Sequence, residues 1–361
     1  MRLAANLRAL LARYPELAAV LAAAVIGLSV QRPLAWLAAR QGINVLLAVL
    51  VFATAVTIEP AALRRAASAW QRLLVALAIG ATVLPALSWT VARMVPAGPL
   101  RNGVLTVGLA PCEIASVATT AMARGEAAIA AGALIGSTVV AVAIAGPLLA
   151  LEAGHAGFSA GGVIANLALV VALPLAVGIA LRASARPPAS VRAERSPRAS
   201  EPSAVGVRAE LAPMRIAWRA WSATARALAT PRAQRAASHV ALAAVAALVA
   251  LIASEVHLSA GYATVAAALV VFLLASAVIG RLLGLRAPRP VAAALLLTTS
   301  MRDFAIAAGL ATAAFGPAAA APLGMYGILV LVWGTAAAGA LRRRTAVPGM
   351  TPQSAPHRPE R

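Results

Sequence analysis

The chain has 361 residues, 61% of them hydrophobic and only 4% aromatic, with a mean hydropathy of +0.86. Soluble domains are about half apolar, so the composition excludes an ordinary soluble domain and points to a polytopic membrane protein. The formal net charge is +20 and every one of the 31 basic residues is arginine, yet these arginines avoid the apolar runs, which favours a membrane over a nucleic-acid partner.

Long apolar runs without strand alternation mean helices, because backbone groups in lipid must be satisfied internally. A span needs roughly 20 residues. Ten are read along the chain: 15–31, 43–59, 70–95, 101–123, 126–151, 159–182, 237–256, 260–284, 288–315 and 318–341. The first follows Arg2, Arg8 and Arg13, and is read as a membrane helix rather than a signal peptide. The fourth and ninth are interrupted by polar residues. Glu59-Pro60 closes the second. Between the sixth and seventh lies the long polar segment 183–235. Its first part, rich in Pro, Ser and Arg, is expected to be disordered. Its second part sets Arg215, Arg219 and Arg226 on one helical face against Trp218, Trp221, Ala225 and Leu228. That pattern fits an amphipathic helix on anionic membrane lipid, with an unstructured basic linker as the alternative. The tail 345–361 is expected to be disordered.

Arginine placement tests the count. With the N-terminus inside, one side receives Arg64, Arg65, Arg72, Arg124, the long segment, Arg281, Arg286, Arg289 and Arg342 to Arg344. The other receives only Arg32, Arg40, Arg93 and Arg101. The positive-inside rule selects ten spans with both termini cytoplasmic. Ten spans divide in chain order into two sets of five of opposite orientation, the plan of carriers built from inverted repeats. The interrupted spans are the fourth of each half, and each ends in a small-residue run closed by glycine, Gly125 and Gly316.

The residues with chemistry gather at these interruptions. In the first, Pro111 removes a helix hydrogen bond and disfavours helix at Ala110. Cys112 and Glu113 follow, then Ser116, Thr119 and Thr120. In the second, Thr298, Thr299 and Ser300 precede Arg302 and Asp303. An intramembrane charge is costly and marks a functional site by default. Arg302 is read as a fixed positive charge for an anionic substrate, with Glu113 or Asp303 as a carrier for a coupling proton. The plainer reading is a buried ion network in which Arg302, Asp303 and Glu113 satisfy one another; the two are compatible. Ser137 and Thr138 in the fifth span are candidate ligands for a small cation or substrate, against back-bonding to their own helix. Gly132 and Gly136 mark close helix packing. Cys112, the single cysteine, excludes an internal disulfide. His155, His239, His257 and His357 are read at loops or segment ends, so no histidine metal site or triad is seen. No nucleophile with a base and no nucleotide motif indicates an enzyme.

These landmarks resemble the bile acid:sodium symporter superfamily, which includes the arsenical-resistance permeases. Asn44 to Arg65, with Ile58-Glu59-Pro60, resembles its second span. Pro111 to Glu126 resembles its Pro-Gly-Gly-Thr-Ala-Ser-Asn motif and the turn after it. Met301 to Gly316 resembles its Glu-x-Gly-Met-Gln-Asn motif, and Leu173-Pro174-Leu175 with Gly178 its sixth span. The resemblance implies ten helices in a panel and a core domain, with two broken helices crossing in the core, and transport of organic anions, often with sodium. Ser116 keeps the motif serine, and Ser137 and Thr138 match a Ser-Thr pair. Val117, Thr298, Arg302 and Asp303 stand where the family has Asn, Glu, Gln and Asn. The fifth-span hydroxyls fall on Ala130 and Leu134. Sodium and proton both stay open as coupling ions. Cys112 matches the cysteine of the arsenical-resistance branch and is the candidate arsenite ligand; the carboxylate of that branch falls on Ala305.

The sequence thus reads as an all-α integral membrane protein of the cell membrane. Residues 1–182 hold the first repeat plus the sixth helix, 183–235 the cytoplasmic loop, 236–344 the rest of the second repeat. The leading expectation is a secondary transporter for a small organic anion, with no cofactor beyond a coupling Na+ or H+. Arsenite efflux and a non-transporting sensor or scaffold are the alternatives.

Overall fold

The computed structural model describes residues 15–153, 159–185, 212–256 and 261–345. Among them the chain is helical apart from one isolated bridge. The expectations for 186–211 and for the tail from 346 lie outside the described residues.

The first span is α1 (Pro15–Ser29), and what reads as a loop beyond it is a helix, α2 (Gln31–Ala39), turned by 98°. The second is α3 (Gly42–Thr57), and Pro60 starts α4 (Pro60–Ala67) at 79° to it. Proline suits the first position of a helix, where its missing N–H is not needed. α5 (Trp70–Ala92) follows, then the interrupted pair α6 (Pro99–Leu109) and α7 (Ala115–Met122), and α8 (Ala127–Ala153).

The sixth span is α9 (Ala160–Leu167), a π-helical turn at Ala168–Ala172, and α10 (Leu173–Ser184). Pro174 cannot donate and crowds the carbonyl one turn back, and the wider turn relieves this. The helix expected in the polar segment is present as α11 (Ala212–Leu228). Its Trp221 Nε1 donates to Ser184 Oγ at 3.0 Å, tying it to the end of α10. α12 (Pro231–Ser254) starts six residues before the apolar run, capped by Thr230, so His239 sits inside a helix rather than at its end. α13 (Gly261–Leu283), the second interrupted pair α14 (Arg289–Ser300) and α15 (Phe304–Phe315), a 3₁₀ turn at Pro317–Ala320, and α16 (Ala321–Thr345) complete the fold.

Among the described residues six helices are long and apolar enough to cross a membrane, or up to eight if each bent pair is one span. The interrupted pairs fall outside that number, because the breaks cut them into pieces of 11 and 8 and of 12 and 12 residues. Two sets of helix contacts frame the site. α12 lies against α1 and α3, and α3 against α10; elsewhere α13 lies against α14, and α5 against α6 and α8. Gly132 and Gly136 allow the approach of α8. A Cβ on Gly132 would stand 2.7 Å from Ala66 Cβ, and one on Gly136 2.8 Å from Leu77 Cδ1.

Candidate functional site

The two interruptions meet. α6 stops at Leu109 because Ala110, ahead of Pro111, is held extended (φ −67°, ψ 151°). The second break has no proline, but Met301 (φ −92°, ψ 106°) and Asp303 (φ −73°, ψ 104°) are equally extended. The exposed backbone groups satisfy each other, as they must in lipid. Cys112 and Arg302 form an antiparallel bridge. Glu113 N donates to Met301 O at 2.8 Å, and Asp303 N to Pro111 O at 2.9 Å. The two amides that point out of this short ladder go to hydroxyls. Cys112 N donates to Ser137 Oγ at 3.1 Å, and Arg302 N to Tyr326 Oη at 3.3 Å. Ser137 lies 25 residues beyond Cys112 and Tyr326 lies 24 beyond Arg302.

Arg302, Glu113 and Asp303 are at most 5% exposed, and each is hydrogen-bonded to the backbone, the arginine as donor and the carboxylates as acceptors. Arg302 Nη2 donates to the Ala110 carbonyl, the freed acceptor at the C-terminal end of α6. A cation is favoured there by the helix dipole. Arg302 Nε is buried without a partner, and Nη1 faces Gly80 of α5, where an added Cβ would stand 3.7 Å away. Asp303 caps α15, its Oδ1 accepting from Ile306 N at 2.8 Å. Glu113 Oε2 accepts from Phe304 N, the first amide of the same helix, at 3.4 Å. Both carboxylates therefore face the N-terminus of α15, where the dipole favours anions. The N-terminus of α7 has no side-chain cap.

The expected hydroxyls divide. Ser137 Oγ accepts from the Cys112 amide and lies 3.4 Å from Cys112 Sγ. Thr119 Oγ1 lies 3.5 Å from Met301 Sδ, bridging the halves, while it also bonds Ala115 O at 3.0 Å. Ser116 Oγ is buried at the start of α7 without a partner. Ser137 Oγ also donates back to Leu134 O at 3.1 Å, and Thr138 and Thr298 donate to their own helices, to Leu134 O at 2.7 Å and Ala294 O at 2.8 Å. Among the described residues no group of three His, Cys, Asp or Glu side chains is placed to hold a metal ion.

A cavity of about 800 Å³ lies at the far ends of α6 and α15. Gln41, Asn44, Asn102, Ser159, Asn166 and Thr312 supply its polar lining. None of the described residues lining it is charged. Asn102 and the break at Ala110 are separated by roughly 12 Å of helix rise.

The model of the sodium bile acid symporter family matches residues 44–192. The match covers under half of the chain, and it shows a likeness to this family over that stretch. The matched stretch contains the first break and ends short of the second, so the backbone pairing ties a matched stretch to an unmatched one. Together with the apolar helices, the match indicates a multi-pass membrane protein. No curated protein matches the chain significantly.

Two sets of site residues escaped sequence reasoning. Tyr326 is fully buried and packs edge-on against Phe272, with ring centroids 6.2 Å apart. A tyrosine within an apolar span was the available signal, since a buried phenol needs a partner. The carboxamides of the cavity were the second. Each sits at a span end, where a lone polar residue reads as an interfacial boundary.

Proposed function

We propose that this chain is a secondary transporter that carries a small organic anion across the cell membrane by alternating access. The carrying observation is the antiparallel pairing of two interrupted helices with a buried arginine at the join. Irregular backbone at membrane depth is costly, and carriers concentrate it where the substrate and coupling ions bind. We infer ten spans in two inverted sets of five, with both termini cytoplasmic. The breaks support this, since each has a hydroxyl partner about 25 residues further on. The group around α3 and α12 then acts as the panel against which the helices of the breaks rock. In this orientation the carboxamide cavity opens to the outside.

Arg302 acts in this reading as a tethered cation. It neutralises the end of α6 and offsets the carboxylates of Glu113 and Asp303, a role that a bound sodium ion would otherwise fill. Transport is then independent of sodium, with Glu113 or Asp303 free to carry a proton. The alternative of arsenite efflux has one supporting observation, the sole thiol at the join, with Sγ 3.4 Å from Ser137 Oγ.

The test is counterflow into proteoliposomes with a panel of labelled small organic acids, wild type against Arg302→Leu. Saturable exchange in the wild type that the variant lacks is the expected result. Absence of exchange above protein-free vesicles for every acid would overturn transport and favour a sensor.

A further inference from the structure

Three of the chain's four asparagines, Asn44, Asn102 and Asn166, line one cavity. They come from α3, α6 and α9, helices well separated in sequence. Gln41 adds a fourth carboxamide. In a chain this apolar, such a gathering is a constructed feature. A carboxamide offers two donors and one acceptor oxygen without charge. Four around one space read a pattern of hydrogen bonds, and they avoid the cost of burying an ion.

The amides are already linked and still incompletely satisfied. Asn44 Nδ2 donates to Gln41 Oε1, and to Asn166 Oδ1 at 3.4 Å, joining α3 to α9. Asn44 Oδ1 is buried without a partner, and so is Thr312 Oγ1 on the facing helix α15. Asn44 Oδ1 points at that helix, since a Cβ added to Gly309 would stand 3.8 Å from it. Buried polar atoms without partners are rare enough to call for a cause. Gln41 is also held left-handed at φ 68°, a conformation that non-glycine residues adopt at a cost.

We propose that this cavity binds a small ligand rich in hydroxyl or amide groups, recognised by the carboxamides of Gln41, Asn44, Asn102 and Asn166. Its volume of about 800 Å³ lies in the range of small-molecule sites, roughly 300–1,000 Å³. An apolar ligand would leave these amides unpaired, which is costly. Where the transport reading holds, the ligand is the transported anion. Its carboxylate is drawn by Arg40 and Arg101, the chain neighbours of Gln41 and Asn102. The site itself does not depend on that reading.

Three probes with a six-carbon backbone separate the possibilities: gluconamide has hydroxyls and no charge, hexanoate has charge and no hydroxyls, and gluconate has both. Each is titrated into the full-length protein in detergent while the unfolding temperature is followed, since a ligand of the folded state raises it saturably. Gluconamide and gluconate should raise it and hexanoate should not. Asn166→Leu and Asn102→Leu should each raise the half-saturating concentration about tenfold, the scale of one or two lost hydrogen bonds. Asn102→Leu, in the first turn of α6, keeps the test alive if the other variant folds poorly. The proposal is overturned if hexanoate matches gluconate, if neither hydroxylated probe gives a saturable rise, or if both variants respond as wild type. Gluconate binding more tightly than gluconamide supports the site and the anion reading together. Equal binding of the two supports the site and counts against that reading alone.

Discussion

The first break, Pro111-Cys112-Glu113, and the second, Met301-Arg302-Asp303, share a backbone and differ in what hangs from it. Each gives one amide to the other and sends its middle amide to a hydroxyl. The side chains do not follow this symmetry. Both carboxylates turn to the N-terminus of α15, and the one guanidinium turns to the C-terminus of α6. The backbone is thus the common frame, and the charges make it polar. A break without those charges would still hold together as a ladder.

The comparison can be broken from the side-chain end first. Arg302→Leu leaves the Ala110 carbonyl and two carboxylates without a cation nearby. It should cost about 3 kcal/mol of stability, read as lower resistance to denaturant in detergent; a loss no larger than that of an exposed arginine would mean that Arg302 is not holding the join. Next come the hydroxyls of the frame. Tyr326→Phe and Ser137→Ala each strand one buried amide, at about 1–2 kcal/mol. The symmetric frame predicts similar losses for the two, and a severalfold inequality would show that the halves are not equivalent. Asp303→Ala removes a helix cap, worth about 1 kcal/mol. Glu113→Ala should cost less in stability, because its bond to Phe304 N is long at 3.4 Å; the reverse order would place the capping role on Glu113. Smallest of all is Cys112→Ser, which keeps a small polar side chain beside Ser137 and should change stability by under about 1 kcal/mol. If cells expressing that variant lose arsenite resistance that the wild type confers, the arsenite reading gains over the organic anion.

Much of this was written in the chain, and unevenly. Pro111 announces its break by chemistry, since proline cannot continue the helix. Arg302 and Asp303 announce theirs by charge in an apolar run. Neither tells that the two breaks pair, because the partners are almost 200 residues apart and each needs the other's backbone. The hydroxyls show the same limit. Nothing in the sequence distinguishes Ser137, which bonds its own helix and also accepts from the Cys112 amide, from Thr138, whose bond is to its own helix one turn back. The bend after α1 was hidden by length: Gln31 to Ala39 is too short for a span and opens on Gln, Arg and Pro, so it reads as a loop, yet it forms a helix at 98°. The asparagines were visible one by one and meant little until three helices brought them together.

The most direct test of the account is thermal unfolding of the purified protein in detergent, with sodium exchanged for potassium at equal ionic strength, for wild type and Arg302→Gln. A tethered guanidinium predicts that the wild type melts at the same temperature in both salts, and that the variant, with its cation removed, melts lower and is restored in part by sodium. A saturable rise specific to sodium in the wild type would contradict the account, because it would mean that a metal cation binds where Arg302 is held to stand in for one.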